Sequence, residues 1–575
     1  MDQPMSISTP TTAAVKATRF RLRWFNVNLL LIVAILALMA LGLLLPLGSL
    51  LIKSLQNQQG HWIGLSNYAE YLSTPSLSYS VLNSLQIGVM VTVLVISLAF
   101  TYALALQRTC MPGKKFFKTI AYLPILTPSL LPALALVYLF GKQGYANSLL
   151  FGHSIYGPIG IVLGLTFWGF PHALMLITTG LRNIDARMYE SAQVLRIGKI
   201  KTFFLVTIAN SKYGLISAAI VIFTLVICDF GVAKIIGGSF NVLATDIYKQ
   251  VVGQQNFSMG AVTSAVLLLP AVVSFAIDQR IRSKQQQMIS TNSVPYQPKP
   301  NTFRDTIAFV ICSMIAVAIL TVLGTALYAS FVSFWPYNKE LTFTHYNFEM
   351  NSVYGWAPFV NSLKLSFWVA IIGTIVTFVA AYNIEKVKTF PVLSKLIHLT
   401  AMLPMAVPGM ALGLGYIFFF NQGQNSPLQL MYGTMAILVL NTVTHLYTVG
   451  HLTSLTALKQ LPNEIESVAK SLKISTLKTF FKITVPVCTP ALLDIFIYLF
   501  MNAMTTTSAV VFLYSPDTIV ASISVLNMAD TGQTASASAM AVMIMLVAGA
   551  IKGAHLVAEK YLLNKTQQWR AGWLG

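Results

Sequence analysis

Twelve apolar runs, each long enough to cross a bilayer, constrain this chain more than any other feature. They fall near residues 29–52, 82–107, 119–141, 156–180, 213–233 and 259–278. A second set falls near 305–333, 360–384, 397–420, 432–456, 489–512 and 535–558. A helix needs about 20 apolar residues to span the hydrocarbon core, where each backbone N–H and C=O must be satisfied inside the segment. The runs therefore predict an all-α polytopic membrane protein with twelve transmembrane helices. Composition agrees, since 55% of the 575 residues are hydrophobic and 9% charged, where soluble domains carry about a quarter charged.

The formal charge of +20 raises the question of nucleic acid, and the placement of the charges excludes it as a partner. Of the 37 Lys and Arg, 31 lie in seven segments that share one side if the N-terminus is inside; the six others are Lys53, Lys142, Lys234, Lys249, Lys339 and Lys364. This is the positive-inside bias of an inner-membrane protein with both termini cytoplasmic. The run Leu29–Ile52, preceded by Lys16, Arg19, Arg21 and Arg23, exceeds a signal-peptide core and reads as an uncleaved first helix. Cys110, Cys228, Cys312 and Cys488 form no CxxC pair and none falls in an external loop, so neither a disulfide framework nor a metal site is expected.

The chain repeats itself. Asn83-Ser84-Leu85 returns as Asn361-Ser362-Leu363, Leu123-Pro124 with Pro128 returns as Leu403-Pro404 with Pro408, and a Lys-Thr-Phe-Phe run returns 277 residues later. Equal spacing predicts two parallel six-helix repeats related by an axis along the membrane normal. The expected organisation is an N-tail 1–28, a first membrane domain 29–282, a polar Gln-, Ser- and Pro-bearing linker 283–304, a second membrane domain 305–558 and a C-tail 559–575. Pro124, Pro128, Pro132, Pro404 and Pro408 are expected to kink the third and ninth helices.

Two short segments between apolar runs stand apart: Asp185–Ile208 (DARMYESAQVLRIGKIKTFFLVTI) and Asn463–Val485 (NEIESVAKSLKISTLKTFFKITV). Each opens on a cap candidate, Asp185 or Asn463, and then places apolar residues at helical spacing: Met188, Ala192 and Leu195, or Ile465, Val468, Ala469 and Leu472. Each is an amphipathic helix that the chain does not obviously bury, which points to a partner.

These segments resemble the "EAA" loop of permease subunits of ATP-binding-cassette (ABC) importers, whose loop docks in a groove of the ATPase. Glu190, Ala192, Phe203 and Phe204 match that pattern in the first copy, and Ala469, Phe480, Phe481 and Pro486 in the second. Glu466 lies one position early, with Ser467 in the aligned slot. The family's Gly is replaced by Arg196 and Lys473, and the closing Pro of the first copy by Ala209; Gly198 is expected to supply the first copy's turn. The stretches Leu123–Gly144, Ile155–Ile177 and Asn241–Ala261 resemble fused permeases assigned to 2-aminoethylphosphonate, with wider relatives serving ferric iron and thiamine.

The resemblance implies a type I ABC permease fold and a chain that supplies both membrane halves of an importer. It implies two ABC ATPase subunits docked through Glu190, Ala192, Leu195, Phe203, Phe204, Glu466, Ala469, Leu472, Phe480 and Phe481, and a periplasmic substrate-binding protein on the other side. Exposed ion pairs contribute about 0–1 kcal/mol each, so the apolar stripes are expected to carry most of the docking. No phosphate-cradling GxxxxGK[ST] run and no catalytic constellation occur in the chain, so it is not expected to be an enzyme or to hold a cofactor. Asp229, Pro128 and Pro408 are candidates for the substrate pathway; Asp229 either meets the ammonium of an aminophosphonate or caps the end of the fifth helix. The rival class is an ion-coupled secondary transporter, which needs paired buried ionisable groups and leaves both amphipathic segments unexplained.

Overall fold

A computed structural model describes residues 28–182, 184–288, 294, 296–387, 390–423, 427–462 and 464–566. Asn463, the expected cap of the second amphipathic helix, lies outside the described residues, as does most of the N-tail. The first half holds α1 (Asn28–Ser54), α2 (Pro75–Arg108), α3 (Lys114–Leu126), α4 (Leu130–Phe140), α5 (Pro158–Arg182) and the short α6 (Ala186–Val194). It continues with α7 (Lys199–Cys228), the short α8 (Gly231–Ile236) and α9 (Leu243–Tyr248), and α10 (Phe257–Met288).

The second half repeats this order without a counterpart of α8. It runs α11 (Thr302–Phe331), α12 (Ala357–Val387), α13 (Pro391–Ala406), α14 (Gly409–Phe420) and α15 (Met435–Lys459). Then come α16 (Glu464–Ser471), α17 (Thr476–Thr505), α18 (Ala521–Asp530) and α19 (Thr534–Thr566). A small antiparallel hairpin, Val332–Phe334 with Asn338–Leu341, follows α11. The helix α10 also runs to Met288, past the expected start of the linker.

Among the described residues ten helices are long and apolar enough to cross a membrane, and twelve if each of two bent pairs counts as one span. Those pairs correct the expectation of kinks: α3 meets α4 at 104° and α13 meets α14 at 113°. The cause is local. A residue before proline is pushed out of the helical region, and Thr127 and Val407, before Pro128 and Pro408, are both extended. The carbonyl of Pro124 accepts both the amide and the hydroxyl of Thr127, at 3.2 and 2.8 Å, so the break leaves it satisfied.

Three helices pack together in each half: α2, α5 and α7 in the first, and α12, α15 and α17 in the second. The first helix of each half crosses to the other. Helix α1 lies on α14, and α11 lies on α3 and α4. At the α1–α14 crossing a Cβ on Gly415 would stand 2.6 Å from the carbonyl oxygen of Pro46, so only a residue without one lets the backbones approach so closely.

The repeated Asn-Ser pair has a structural reason. Ser84 accepts the amide of Leu243, first residue of α9, at 2.8 Å, and Ser362 accepts that of Ala521, first residue of α18, at 2.7 Å. Asn83 donates to the carbonyl of Asn241, and Asn361 to those of Asp517 and Ile519. Each pair thus holds the entry to one short helix buried at the end of the molecule opposite α6 and α16.

Candidate functional site

Helix α6 is fixed at both ends. The Asp185 carboxylate accepts the Arg187 amide at 3.0 Å and its guanidinium at 2.7 Å. These bonds from Arg187 hold the Asp185 carboxyl down at about 2, so the cap stays ionised at any cellular pH. The first helical amide, that of Ala186, donates to the carbonyl of Val294 in the segment joining the halves, at 2.9 Å. From that segment Tyr296 also packs on Tyr189, ring centroids 4.7 Å apart, and the Arg108 guanidinium lies over both rings.

Both amphipathic helices end in the same turn. Ile197 donates to the carbonyl of Ala192 at 2.9 Å and Arg196 to that of Gln193 at 3.0 Å, while Ile474 donates to Ala469 at 2.9 Å. The residue inside each turn is left-handed: Arg196 at φ 51° and Lys473 at φ 56°. These are the two positions where the resembling family carries Gly, so the turn survives without it. Gly198 does not supply it. Its φ is −62°, and it is the residue preceding the first turn of α7.

The structure divides the residues expected to dock. Ala192 and Ala469 are buried, 3% and 6% exposed, under their own turns. Phe203 packs on Phe100 of α2, and Phe480 on Phe378 and Tyr382 of α12, the wide turns that begin at each first Phe directing these rings inward. Leu195 and Leu472 stand 72% and 66% exposed at the helix ends, and Phe204 and Phe481 also face outward. Glu190 is exposed, whereas Glu466 is turned inward, 3.9 Å from the buried ammonium of Lys386, which donates to the carbonyl of Leu461. The two glutamates therefore differ in environment, an asymmetry their sequence positions did not reveal.

Pro128 and Asp229 come together. Asp229 accepts the amide of Val232 at 2.9 Å, capping α8, and a side-chain hydrogen bond from Ser129, next to the α3–α4 break. In the second half, a Cβ on Gly409, beside Pro408, would meet the Ser508 hydroxyl at 2.7 Å. Each break thus abuts the chain that leaves α7 or α17. Pro128 and Pro408 are themselves buried. Asp494, exposed midway along α17, pairs with the buried His555 of α19 at 3.2 Å.

Comparison with known proteins returns one family. The pattern described as "Binding-protein-dependent transport system inner membrane component" matches twice, over residues 112–287 and 373–553, and each match contains one of the helices α6 and α16. The "Ferric transport system permease protein FbpB" of Actinobacillus pleuropneumoniae is 28% identical over 479 residues, 81% of this chain and 68% of its own. The "Fe(3+)-transport system permease protein FbpB 2" of Haemophilus influenzae is 24% identical over 493 residues, 85% and 91% of the two chains. A shorter similarity, 26% over 211 residues, joins 36% of this chain to 72% of a "Spermidine/putrescine transport system permease protein PotC homolog" of Mycoplasma genitalium.

Proposed function

The chain belongs to the family of binding-protein-dependent transport system inner membrane components, and from that premise we propose how it is driven and what it carries. It is the multi-pass inner-membrane permease of an ABC importer. Helices α6 and α16 face the cytoplasm and are the handles on which two ATPase subunits dock. ATP-driven closure of those subunits draws the handles together, and each handle passes directly through its left-handed turn into a spanning helix, α7 or α17. The movement switches the path between the halves from inward-facing to outward-facing, and a periplasmic binding protein delivers cargo at the opposite end.

The observation that carries this reading is the pair of amphipathic helices at corresponding places in two halves, each presenting one bare leucine, Leu195 or Leu472. Replacing both with Asp is expected to reduce copurification of the ATPase at least tenfold, since each apolar anchor contributes roughly 1.5–3 kcal/mol, while membrane insertion stays normal. Undiminished copurification from the double variant would remove the docking role.

For cargo we propose 2-aminoethylphosphonate, on the likeness of three long stretches to permeases assigned to it. Ferric iron is the second reading, favoured by relatives whose names are ferric permeases. Uptake of the two compounds by cells with the chain, its ATPase and its binding protein decides between them.

A further inference from the structure

One cation stands beneath each triad of helices, at corresponding places in the repeat. Arg108 comes 25 residues after Asn83, and Lys386 comes 25 after Asn361. Each lies at the C-terminal end of its own helix, α2 or α12, and donates to a carbonyl where a second helix of the triad ends. The Arg108 guanidinium reaches Leu181 of α5 at 2.9 Å, and the Lys386 ammonium reaches Leu461, just past α15, at 2.8 Å. A cation suits that place, because the last carbonyls of a helix lack partners within it and the backbone dipole is negative there.

The third partner sits on the amphipathic helix, again at one place in the repeat. Tyr189 and Glu466 each come 12 residues before a Lys-Thr-Phe-Phe run. The Arg108 guanidinium lies 5.0 Å from the centre of the Tyr189 ring and 4.5 Å from that of Tyr296, and Lys386 lies 3.9 Å from Glu466. The connection is kept while its chemistry differs, a cation on aromatic faces in one half and an ion pair in the other. A basic residue placed only by the positive-inside bias has no reason to join the same three elements twice.

We infer that Arg108 and Lys386 are positioning residues that pass the motion of α6 and α16 to the rest of each triad. The inference rests on the permease reading, in which ATPase subunits move those two helices. Chain continuity carries the motion of α6 only into α7, and that of α16 only into α17. Helices of nine and eight residues do not hold their shape alone, so a displacement reaches as far as their side-chain ties. Apolar packing between spanning helices allows them to slide past one another. A shared cation fixes their ends instead: Arg108 ties α6 to α2 and α5, and Lys386 ties α16 to α12 and α15.

The test is the distance between spin labels at Ser76→Cys and Ala357→Cys, exposed residues at the far ends of α2 and α12, with the four native cysteines replaced. It is read before and after ATP and vanadate, on the complete importer with its binding protein, purified through a tag on the ATPase so that only docked complexes count. The wild-type distance is expected to shift. The variant Arg108→Met, Lys386→Met, Glu466→Gln, which strands no buried carboxylate, is expected to lose most of that shift, and Arg108→Met alone part of it. Arg108→Lys with Lys386→Arg keeps both charges and both donors and is expected to retain the shift. The proposal fails if the methionine variants shift as wild type does, or if the conservative pair loses as much as they do. It also fails if neither methionine variant copurifies with the ATPase, since the cations would then act in docking. A wild type that shows no shift with ATP removes the permease reading itself, and this inference with it.

Discussion

Arg196 and Lys473 show what a single residue contributes to the turns that end α6 and α16. A left-handed conformation costs a residue with a Cβ about 1–2 kcal/mol, and both chain copies accept it where Gly would be free of strain. The hydrogen bonds from Ile197 and Ile474 back to Ala192 and Ala469 offset that cost and explain why those alanines are buried. The same scale separates the two glutamates. Glu190→Lys is expected to change stability by less than about 0.5 kcal/mol, as exposed substitutions do. Glu466→Lys leaves two cations in a buried pocket with Lys386, and breaking such a pair costs about 3–5 kcal/mol. Thermal melting of the two variants in detergent checks this; equal melting points would mean that the Lys386 contact stabilises nothing.

Elements are held by polar contacts as much as by apolar ones. A soluble helix can leave its terminal amides to water, but α9 and α18 are buried, so Ser84 and Ser362 must accept them. Ser84→Ala and Ser362→Ala each strand a buried amide, and each is expected to destabilise its half by about 1–3 kcal/mol. Chemical denaturation in mixed micelles measures it, and unchanged stability would mean that another acceptor takes the amide. The α3–α4 and α13–α14 breaks follow a similar logic. Their prolines remove donors, and the extended Thr127 and Val407 turn what the sequence suggested as kinks into bends of more than 100°.

In the whole molecule the first helices are exchanged between halves. Helix α1 belongs by sequence to the first half and by contact largely to the second, and α11 lies on α3 and α4 of the first. Covalent continuity is then not what keeps the halves together. A chain cut between residues 289 and 293 and made as two coexpressed pieces is expected to copurify as one permease and to keep at least half of wild-type ATPase stimulation. Pieces that separate in mild detergent would show that the joining segment carries the association. The exchange gives each half a contact with a helix that starts in its partner, α1 on α14 and α11 on α3 and α4.

The sequence by itself determined the class of protein, its apolar spans, their duplication and the two amphipathic segments. These are properties of composition and periodicity, and a bilayer leaves a chain of such runs no other regular structure. It also marked Asn83-Ser84 and Asn361-Ser362 as important without showing for what. Only the tertiary structure decided which face of each amphipathic helix is free. Ala192 and Phe203 share a segment with Leu195 and Phe204, and only packing against α2 and the turn's own bonds sends one pair inward and the other outward. Partners remote in sequence, Lys386 for Glu466 and Lys234 for Asp530, were equally invisible, because a charge in one loop carries no mark of the charge it meets across the fold.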